Sequence, residues 1–374
     1  MIQVERVTTK DQLRQFIDFP HELYATDPNY VPELFIAQRD LLTPGKHPFH
    51  EHGKVQPFLA YKGNKVVGRI AAVLNGNHNA FNQAQDGFFG FFDSVEDAAV
   101  AAALFDTAEA WLRNKGADTI IGPVNFSTNE TCGLLIAGFD APPVTMMTYN
   151  SPYYINLYEQ AGFTKKTDLL AYKLLTEEVD DKPYKVMTTL MQRLEQRGIT
   201  IRKINMKNFD AEVVGVRKVY NEAWNKNMGF VPMTDKEFEY LAKDLKLILD
   251  PDFCMVAEHN GKVVGFSLGI PDINEVFIKI RKGRLFPTGI FKLLLGRKKI
   301  KSMRVIALGV LEPYRKMGIE ACFYGSLIQK AREKGFHSAE ASWILEQNDM
   351  MNRALINING RVYRKYRIYQ KAIG

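Results

Sequence analysis

Cysteine is scarce in this chain, with three residues among 374, at Cys132, Cys254 and Cys322. They are odd in number and far apart, so neither a disulfide framework nor a zinc-ligand spacing can be drawn from them. A reducing compartment is the expectation, and no metal is expected. Long apolar runs are missing too. None approaches the roughly 20 residues needed to span a bilayer. The opening Met-Ile-Gln-Val-Glu-Arg lacks the layout of a secretory signal, so the expected place is the cytoplasm.

What is present is globular in character. Hydrophobic residues make up 46% and charged residues 24%, in a chain long enough for two domains or one large one. The net charge of +7 is uneven. Residues 1–174 hold 14 Lys/Arg against 19 Asp/Glu, and the remainder holds 35 against 23. The basic character belongs to the second half.

The chain also repeats itself. Two apolar runs around a Gly-Asn turn (Phe58 to Ile70) predict a hairpin, and Phe253 to Phe266 has the same shape. Lys-Val-Val-Gly recurs at an offset of 197 (Lys65 to Lys262), and the glycine before the last strands recurs at 198 (Gly162 to Gly360). Two distant landmarks with nearly one offset predict a duplicated domain. The order of elements in each copy is strand, helix, hairpin, strand, helix, strand, helix, strands. The copies meet near the polar segment Thr176–Lys185, giving domains at 1–178 and 186–374.

The organising stretch is Val305 to Gly335. A short apolar, β-branched run to Leu311 reads as a buried strand. Glu312-Pro313-Tyr314-Arg315-Lys316-Met317-Gly318 is a turn, and a helical pattern with Cys322, Leu327, Ile328 and Ala331 on one side follows from Ile319. Open backbone N–H groups and the positive end of a helix dipole suit an anion such as a pyrophosphate. Gly318 removes the Cβ that would obstruct it.

A strand, then Pro-Tyr-Arg-x-x-Gly-x, then a helix resembles the acyl-CoA loop of the GNAT superfamily of N-acyltransferases, whose pattern is Arg/Gln-x-x-Gly-x-Gly/Ala. Arg315, Gly318 and Glu320 fall on its three marked positions. Glu320 departs from it, because a carboxylate stands where a small residue is usual. The resemblance implies an α/β (α+β) fold of two tandem GNAT-like domains, each a mixed twisted sheet flanked by helices. It implies acyl-CoA, acetyl or longer, as co-substrate. Its expected holders are Leu308, Gly309 and Val310 on the strand, then Arg315, Lys316, Met317, Gly318, Ile319, Glu320 and Ala321, with Asn348 beyond the next strand.

The first copy has no Arg-x-x-Gly between its strand Gly87–Asp93 and the alanine-rich helix after it. It does carry Leu157-Tyr158-Glu159-Gln160-Ala161-Gly162-Phe163, which resembles the segment where many GNAT enzymes place a tyrosine that protonates the leaving thiolate. Tyr158 is that donor or a packed helix tyrosine. Ile356 stands at its place in the second copy. The polar run Asn125 to Glu130 either lines an acceptor pocket, with Glu130 as base, or is a solvated turn. Glu340 on the strand after the motif is either a base or an exposed residue. Trp224, Phe230 and Met233, around the loop 225–235, either wall the acceptor or belong to the core.

Residues 276–304 hold ten Lys/Arg and no acid: Lys279, Arg281, Lys282, Arg284, Lys292, Arg297, Lys298, Lys299, Lys301 and Arg304. Leu285, Phe286, Ile290, Phe291, Leu293, Leu294 and Leu295 lie between them. Basic residues around an apolar cluster predict either contact with an anionic membrane surface or a solvated flap over a packed helix. Aromatics are few and sit among leucines, so nucleic acid is not the expected partner. Arg284-Leu285-Phe286-Pro287 and Gly122-Pro123-Val124-Asn125 further resemble a bacterial tandem-GNAT group that includes ceramide-synthase-like acyltransferases. That implies an amine acceptor, small or lipid. A non-catalytic acyl-CoA-binding or membrane-binding protein is the rival expectation, and tRNA-dependent aminoacyl transfer a third.

Overall fold

The computed structural model describes residues 1–225 and 229–374, with the backbone alone at Arg281. The chain begins with β1 (Ile2–Arg6), α1 (Lys10–Leu23) and α2 (Phe35–Leu42). A hairpin of β2 (Gly53–Lys62) and β3 (Lys65–Asn75) leads through α3 (Gly76–Asn82) to β4 (Asp86–Ser94) and α4 (Ala98–Arg113). Short strands follow: β5 (Thr119–Gly122), β6 (Val124–Asn125), β7 (Thr131–Cys132) and β8 (Leu134–Ala137). Next come α5 (Tyr154–Gln160), β9 (Thr164–Leu175) and α6 (Lys182–Glu195).

The pattern then starts again with β10 (Ile199–Lys203), α7 (Phe209–Ala223) and α8 (Asp235–Lys246). The second hairpin is β11 (Cys254–His259) with β12 (Lys262–Pro271). Helices α9 (Asn274–Phe277) and α10 (Gly289–Gly296) precede β13 (Ser302–Val310) and α11 (Ile319–Glu333). The chain closes with β14 (Ser338–Leu345), α12 (Asp349–Asn357) and β15 (Arg361–Ala372).

Local chemistry accounts for these boundaries. Thr9 opens α1 and Thr234 opens α8, each with a reciprocal capping box to the Gln or Glu three residues on. Asn260 and Gly261 both have positive φ, which lets a two-residue turn join β11 and β12 with the twist of a hairpin.

The chain divides into two compact units. Unit 1 comprises Met1–Leu169, Asn274–Lys298 and Arg364–Gly374; unit 2 comprises Leu170–Ile273 and Lys299–Tyr363. In unit 1 the strand order is β1-β2-β3-β4-β5-β15. Neighbours are antiparallel except β4 and β5. In unit 2 the order is β10-β11-β12-β13-β14-β9. Its β10 to β13 are antiparallel, and β13 pairs β14 in parallel. The two orders are the same, as a duplicated domain requires. Each is a mixed sheet flanked by helices.

Compactness and sequence repeat nevertheless cut the chain differently. The boundary between the units falls within β9 after Leu169 and within β15 before Arg364, and 274–298 belongs to unit 1. The compact units thus have other bounds than the sequence stretches 1–178 and 186–374.

The core of unit 1 is aromatic, with Phe89, Phe92, Phe105, Tyr158 and Phe163 packed together. Unit 2 has one cluster around Met187, Val264, Val310 and Phe323, and another around Leu174, Ile328, Ala341 and Leu355. In the first, α6 lies directly on α11. A Cβ on Gly325 would stand 2.9 Å from the Pro183 carbonyl oxygen.

Candidate acyl-transfer site

Strands β13 and β14 pair only from Ser302–Val305 against Ser338–Ala341. Beyond that point their ladder ends, although β13 runs on to Val310 and β14 to Leu345. On its other edge β13 stays paired with β12, with a register shift that leaves Ile306 between the matched residues Val305 and Ala307. A bulge there re-aims the following backbone. Leu308, Gly309 and Val310 lie past the bulge, beside the parting. Gly309 takes the Trp224 ring, since a Cβ there would stand 2.6 Å from it.

The loop from β13 to α11 turns sharply, with positive φ at Lys316 (63°) and Gly318 (96°). Gly318 is the N-cap of α11, and no side chain caps the N–H groups that follow it. Ile319 is buried, whereas Met317, Glu320 and Ala321 are half-buried. Arg315 is exposed. Its Nε donates to the Val310 carbonyl at 3.1 Å and its Nη2 to the Ala223 carbonyl at 3.2 Å. The guanidinium thus ties the loop to the ends of β13 and α7. Glu320 sits in the first turn, where its carboxylate is favoured by the helix dipole. Burial, then Glu320, pushes Cys322 up to about 11 and Tyr324 up to about 12.

A polar cluster is buried on the other face of the same strands. Side chains alternate along a strand, so Glu340 and Ser342 share one face of β14 while Ala339 and Ala341 share the other. Glu340 is only 2% exposed, which removes the reading of an exposed strand residue. One carboxylate oxygen accepts from the Ser342 hydroxyl at 2.6 Å, and the other accepts from the Tyr363 hydroxyl. Arg304 lies opposite Glu340 in the β13–β14 register and is itself 2% exposed. Its Nε donates to Ser342 at 3.0 Å, and its guanidinium stands 4.6 Å from the Trp343 ring centre.

The sequence alone does not single out Tyr363, Ser342 or Trp343, and it places Arg304 in the basic insertion. The usable signal was the i, i+2 spacing of Glu340 and Ser342. Pairing with Arg304 and Tyr363 needs the sheet register.

Other candidates have structural tasks. The Asn348 side chain accepts from the Met351 N–H at 3.2 Å and caps α12. Tyr158 is 1% exposed among Phe89, Phe92, Phe105 and Phe163, and burial holds its phenol well above the usual range. Glu130 accepts from both the Ser127 N–H (3.0 Å) and the Ser127 hydroxyl (2.5 Å), closing its turn. Both Tyr158 and Glu130 belong to unit 1 and the loop to unit 2. Ile356 is exposed on α12. Phe230 and Met233 are buried, and the Tyr220 ring lies tilted against those of both Trp224 and Phe230. The expected acceptor loop 225–235 includes 226–228, which lie outside the described residues.

The insertion is anchored at one end and exposed at the other. Arg284 Nη2 contacts both Asp18 oxygens at 2.9 Å, with its guanidinium 3.3 Å from the Phe35 ring centre. Lys282 pairs with Glu22 at 3.2 Å. Phe286 is 76% exposed, and on α10 Phe291, Leu294 and Leu295 are exposed as well. The Arg281 side chain lies outside the described residues.

Among the described residues no group of three or more His, Cys, Asp or Glu could hold a metal ion, and no helix is long and apolar enough to cross a membrane. No protein-family model matches the chain. Bacterial ceramide synthase of Caulobacter vibrioides is 35% identical over 379 residues, covering 100% of this chain and 98% of its own length. Protein YghO of Escherichia coli is 37% identical over 376 residues, covering 99% and 95%. Among solved structures, a tandem GNAT protein from the clavulanic acid biosynthesis pathway superposes with a TM-score of 0.60 at 12% identity, covering 100% of this chain and 99% of that one. A GCN5-related N-acetyltransferase from Sphaerobacter thermophilus gives 0.53 at 13% identity, with 100% and 96% covered.

Proposed function

We propose that this chain, which belongs to the tandem two-domain bacterial branch of the GNAT superfamily together with bacterial ceramide synthase and protein YghO, transfers an acyl group from CoA to an amine. The observation that carries the reading is the parting of β13 and β14 between an uncapped helix N-terminus and a buried carboxylate.

The N–H groups at Gly318 to Ala321 would hold the pyrophosphate. Arg315 keeps the loop in shape for them. The pantetheine would lie along Leu308, Gly309 and Val310, and the thioester carbonyl at the bulge, where backbone N–H groups can stabilise the developing oxyanion. The amine nitrogen attacks the carbonyl carbon, the C–S bond breaks, and an amide forms. Glu340 takes the proton that the attacking nitrogen sheds. The CoA thiolate leaves and takes a proton from solvent. Placement of the two reactants supplies most of the acceleration in such a step.

The finer reading is a lipid amine as acceptor. The exposed apolar residues of α10 lie beside Arg297, Lys298 and Lys299, which suits brief contact of a cytoplasmic enzyme with an anionic inner-membrane surface. The named activity of the Caulobacter relative points the same way. Nucleic acid has no part in this reading.

The test is release of free CoA thiol on adding sphinganine, or a soluble amine such as spermidine, to enzyme with acyl-CoA. Dependence on sphinganine supports a lipid acceptor. Thiol release with soluble amines alone would leave acyl transfer standing and remove the lipid. No release with any pair would leave the rival, an acyl-CoA-binding scaffold, which Glu320 in the first turn of α11 favours.

A further inference from the structure

The polar cluster of unit 2 is not equally open at all its members. Glu340, Arg304 and Ser342 are buried, whereas Tyr363 at the start of β15 is half-buried. Of these four side chains Tyr363 is therefore the one that a substrate can approach. The others lie behind it in a chain of hydrogen bonds. Arg304 Nε donates to the Ser342 oxygen at 3.0 Å, Ser342 donates to Glu340 Oε1 at 2.6 Å, and Tyr363 donates to Glu340 Oε2.

This arrangement decides which atom can meet the acceptor. A general base must come within hydrogen-bond reach of the proton it removes. Both oxygens of Glu340 are engaged and its side chain is buried, so an amine has no open approach to the carboxylate. Displacing Ser342 or Tyr363 to make room would leave a buried polar group unmatched. The hydroxyl proton of Ser342 is already given to Glu340, and its oxygen is taken by Arg304. A phenol that donates its proton keeps lone pairs with which to accept another. Tyr363 alone of the four thus joins an approachable oxygen to a direct bond with the base. Lys173 on β9 stands 5.8 Å from the Tyr363 ring centre, where its charge favours the negative character that a phenol gains while passing on a proton.

We propose that Tyr363 touches the acceptor amine and relays its proton to Glu340. The inference rests on the acyl-transfer reading and adds the route of the proton to it. As the nitrogen bonds to the thioester carbonyl carbon, its N–H proton passes to the Tyr363 oxygen. The Tyr363 hydroxyl proton passes along the existing hydrogen bond to Glu340 Oε2. The phenol is restored in the same step and Glu340 is left protonated. The C–S bond breaks, and the thiolate takes its proton from solvent. After the amide leaves, Glu340 returns its proton to solvent by the reverse route.

The experiment is a proton inventory: the single-turnover rate of thiol release in mixtures of H2O and D2O, for the wild type and Tyr363→Phe. Single turnover keeps product release out of the rate. A relay moves two protons together and bows the plot of rate against deuterium fraction. A base that takes the proton directly moves one and gives a straight line. The expected result is a bowed plot for the wild type. Tyr363→Phe should give a straight line, a rate lower by about 10²-fold, and an unchanged KM for the thioester. A straight line for the wild type overturns the relay, and so does a plot that stays bowed in a folded Tyr363→Phe.

Should Tyr363→Phe fail to fold, 3,5-difluorotyrosine at position 363 keeps the ring and its hydroxyl while making the phenol more acidic. A phenol in the path of the proton should then change the rate by about threefold or more, and an unchanged rate overturns the proposal. The same assay separates the two readings. Thiol release with a straight wild-type plot leaves acyl transfer standing without the relay. No thiol release from any pair of acyl-CoA and amine removes both.

Discussion

Tyr363 donates its hydroxyl to one oxygen of Glu340, while Ser342 donates to the other. A buried carboxylate with both oxygens engaged is held in one place and is costly to leave without partners. The proposed function gives Glu340 the proton that the attacking nitrogen sheds. Glu340→Gln keeps the shape and removes the proton acceptor. Its kcat for thiol release should fall by roughly 10²–10⁴-fold, with the circular-dichroism spectrum unchanged. A variant with wild-type kcat would take Glu340 out of the chemistry.

Tyr363→Phe leaves a buried carboxylate oxygen without its donor. Urea unfolding should show a loss of about 1–3 kcal/mol. A purely structural role predicts that loss alone. A positioning role predicts in addition a lower kcat at unchanged KM for the thioester. A double-mutant cycle with Glu340→Gln should then show non-additive effects, because the two side chains act through one hydrogen bond.

Gly318 tests the loop. At φ 96° a side chain is strained, and a Cβ would stand 3.0 Å from Leu190. Gly318→Val should therefore disturb the start of α11 and raise KM for every acyl-CoA by about tenfold or more. Because the thioester end is untouched, the effect should be the same for acetyl- and palmitoyl-CoA. A change in chain-length preference instead would place the loop at the acyl end and not at the phosphates.

Much of this was legible in sequence, for identifiable reasons. The hairpins, the strand and helix around Arg315 and Gly318, and the duplication are local patterns or fixed offsets, which survive without coordinates. Glu340 was visible as a candidate, but its burial was not. That follows from Arg304, 36 residues earlier in the chain, and Tyr363, 23 later, meeting it through sheet register. For the same reason Arg304 reads as one of ten cations in a basic run, whereas it lies 2% exposed on a central strand. The places of β9 and β15 in the strand order were also hidden, since a strand's own residues do not say which neighbours it pairs with.

The apolar residues of α10 provide a test of surface contact. Phe291 and Leu294 are 64% and 58% exposed, and three cations follow directly at Arg297, Lys298 and Lys299. Each cation near an anionic surface contributes about 1 kcal/mol, and the apolar side chains add burial in the headgroup region. The wild type should sediment with phosphatidylglycerol vesicles and not with phosphatidylcholine vesicles. The double substitution Phe291→Glu with Leu294→Glu should abolish this without changing the melting temperature, since neither side chain packs in the core. Binding that survives both changes would remove α10 as the contact.

Acid sensitivity should be traceable to Asp252, which joins two parts of unit 2. It pairs with Lys203 at the end of β10 and with Lys334 at the end of α11, the latter at 2.6 Å. Hydrogen bonds from Lys203 and then Lys334 lower its carboxyl from 3.8 to about 2. A carboxyl more acidic in the folded than in the unfolded state binds fewer protons when folded, so its stabilising contribution is complete above the unfolded value. It is lost as pH falls from about 4 to about 2. Asp252→Asn should therefore unfold at lower urea than the wild type at pH 7, and the gap should narrow through that window. A gap that stays constant down to pH 2 would mean that the side chain stabilises through shape and not through its charge.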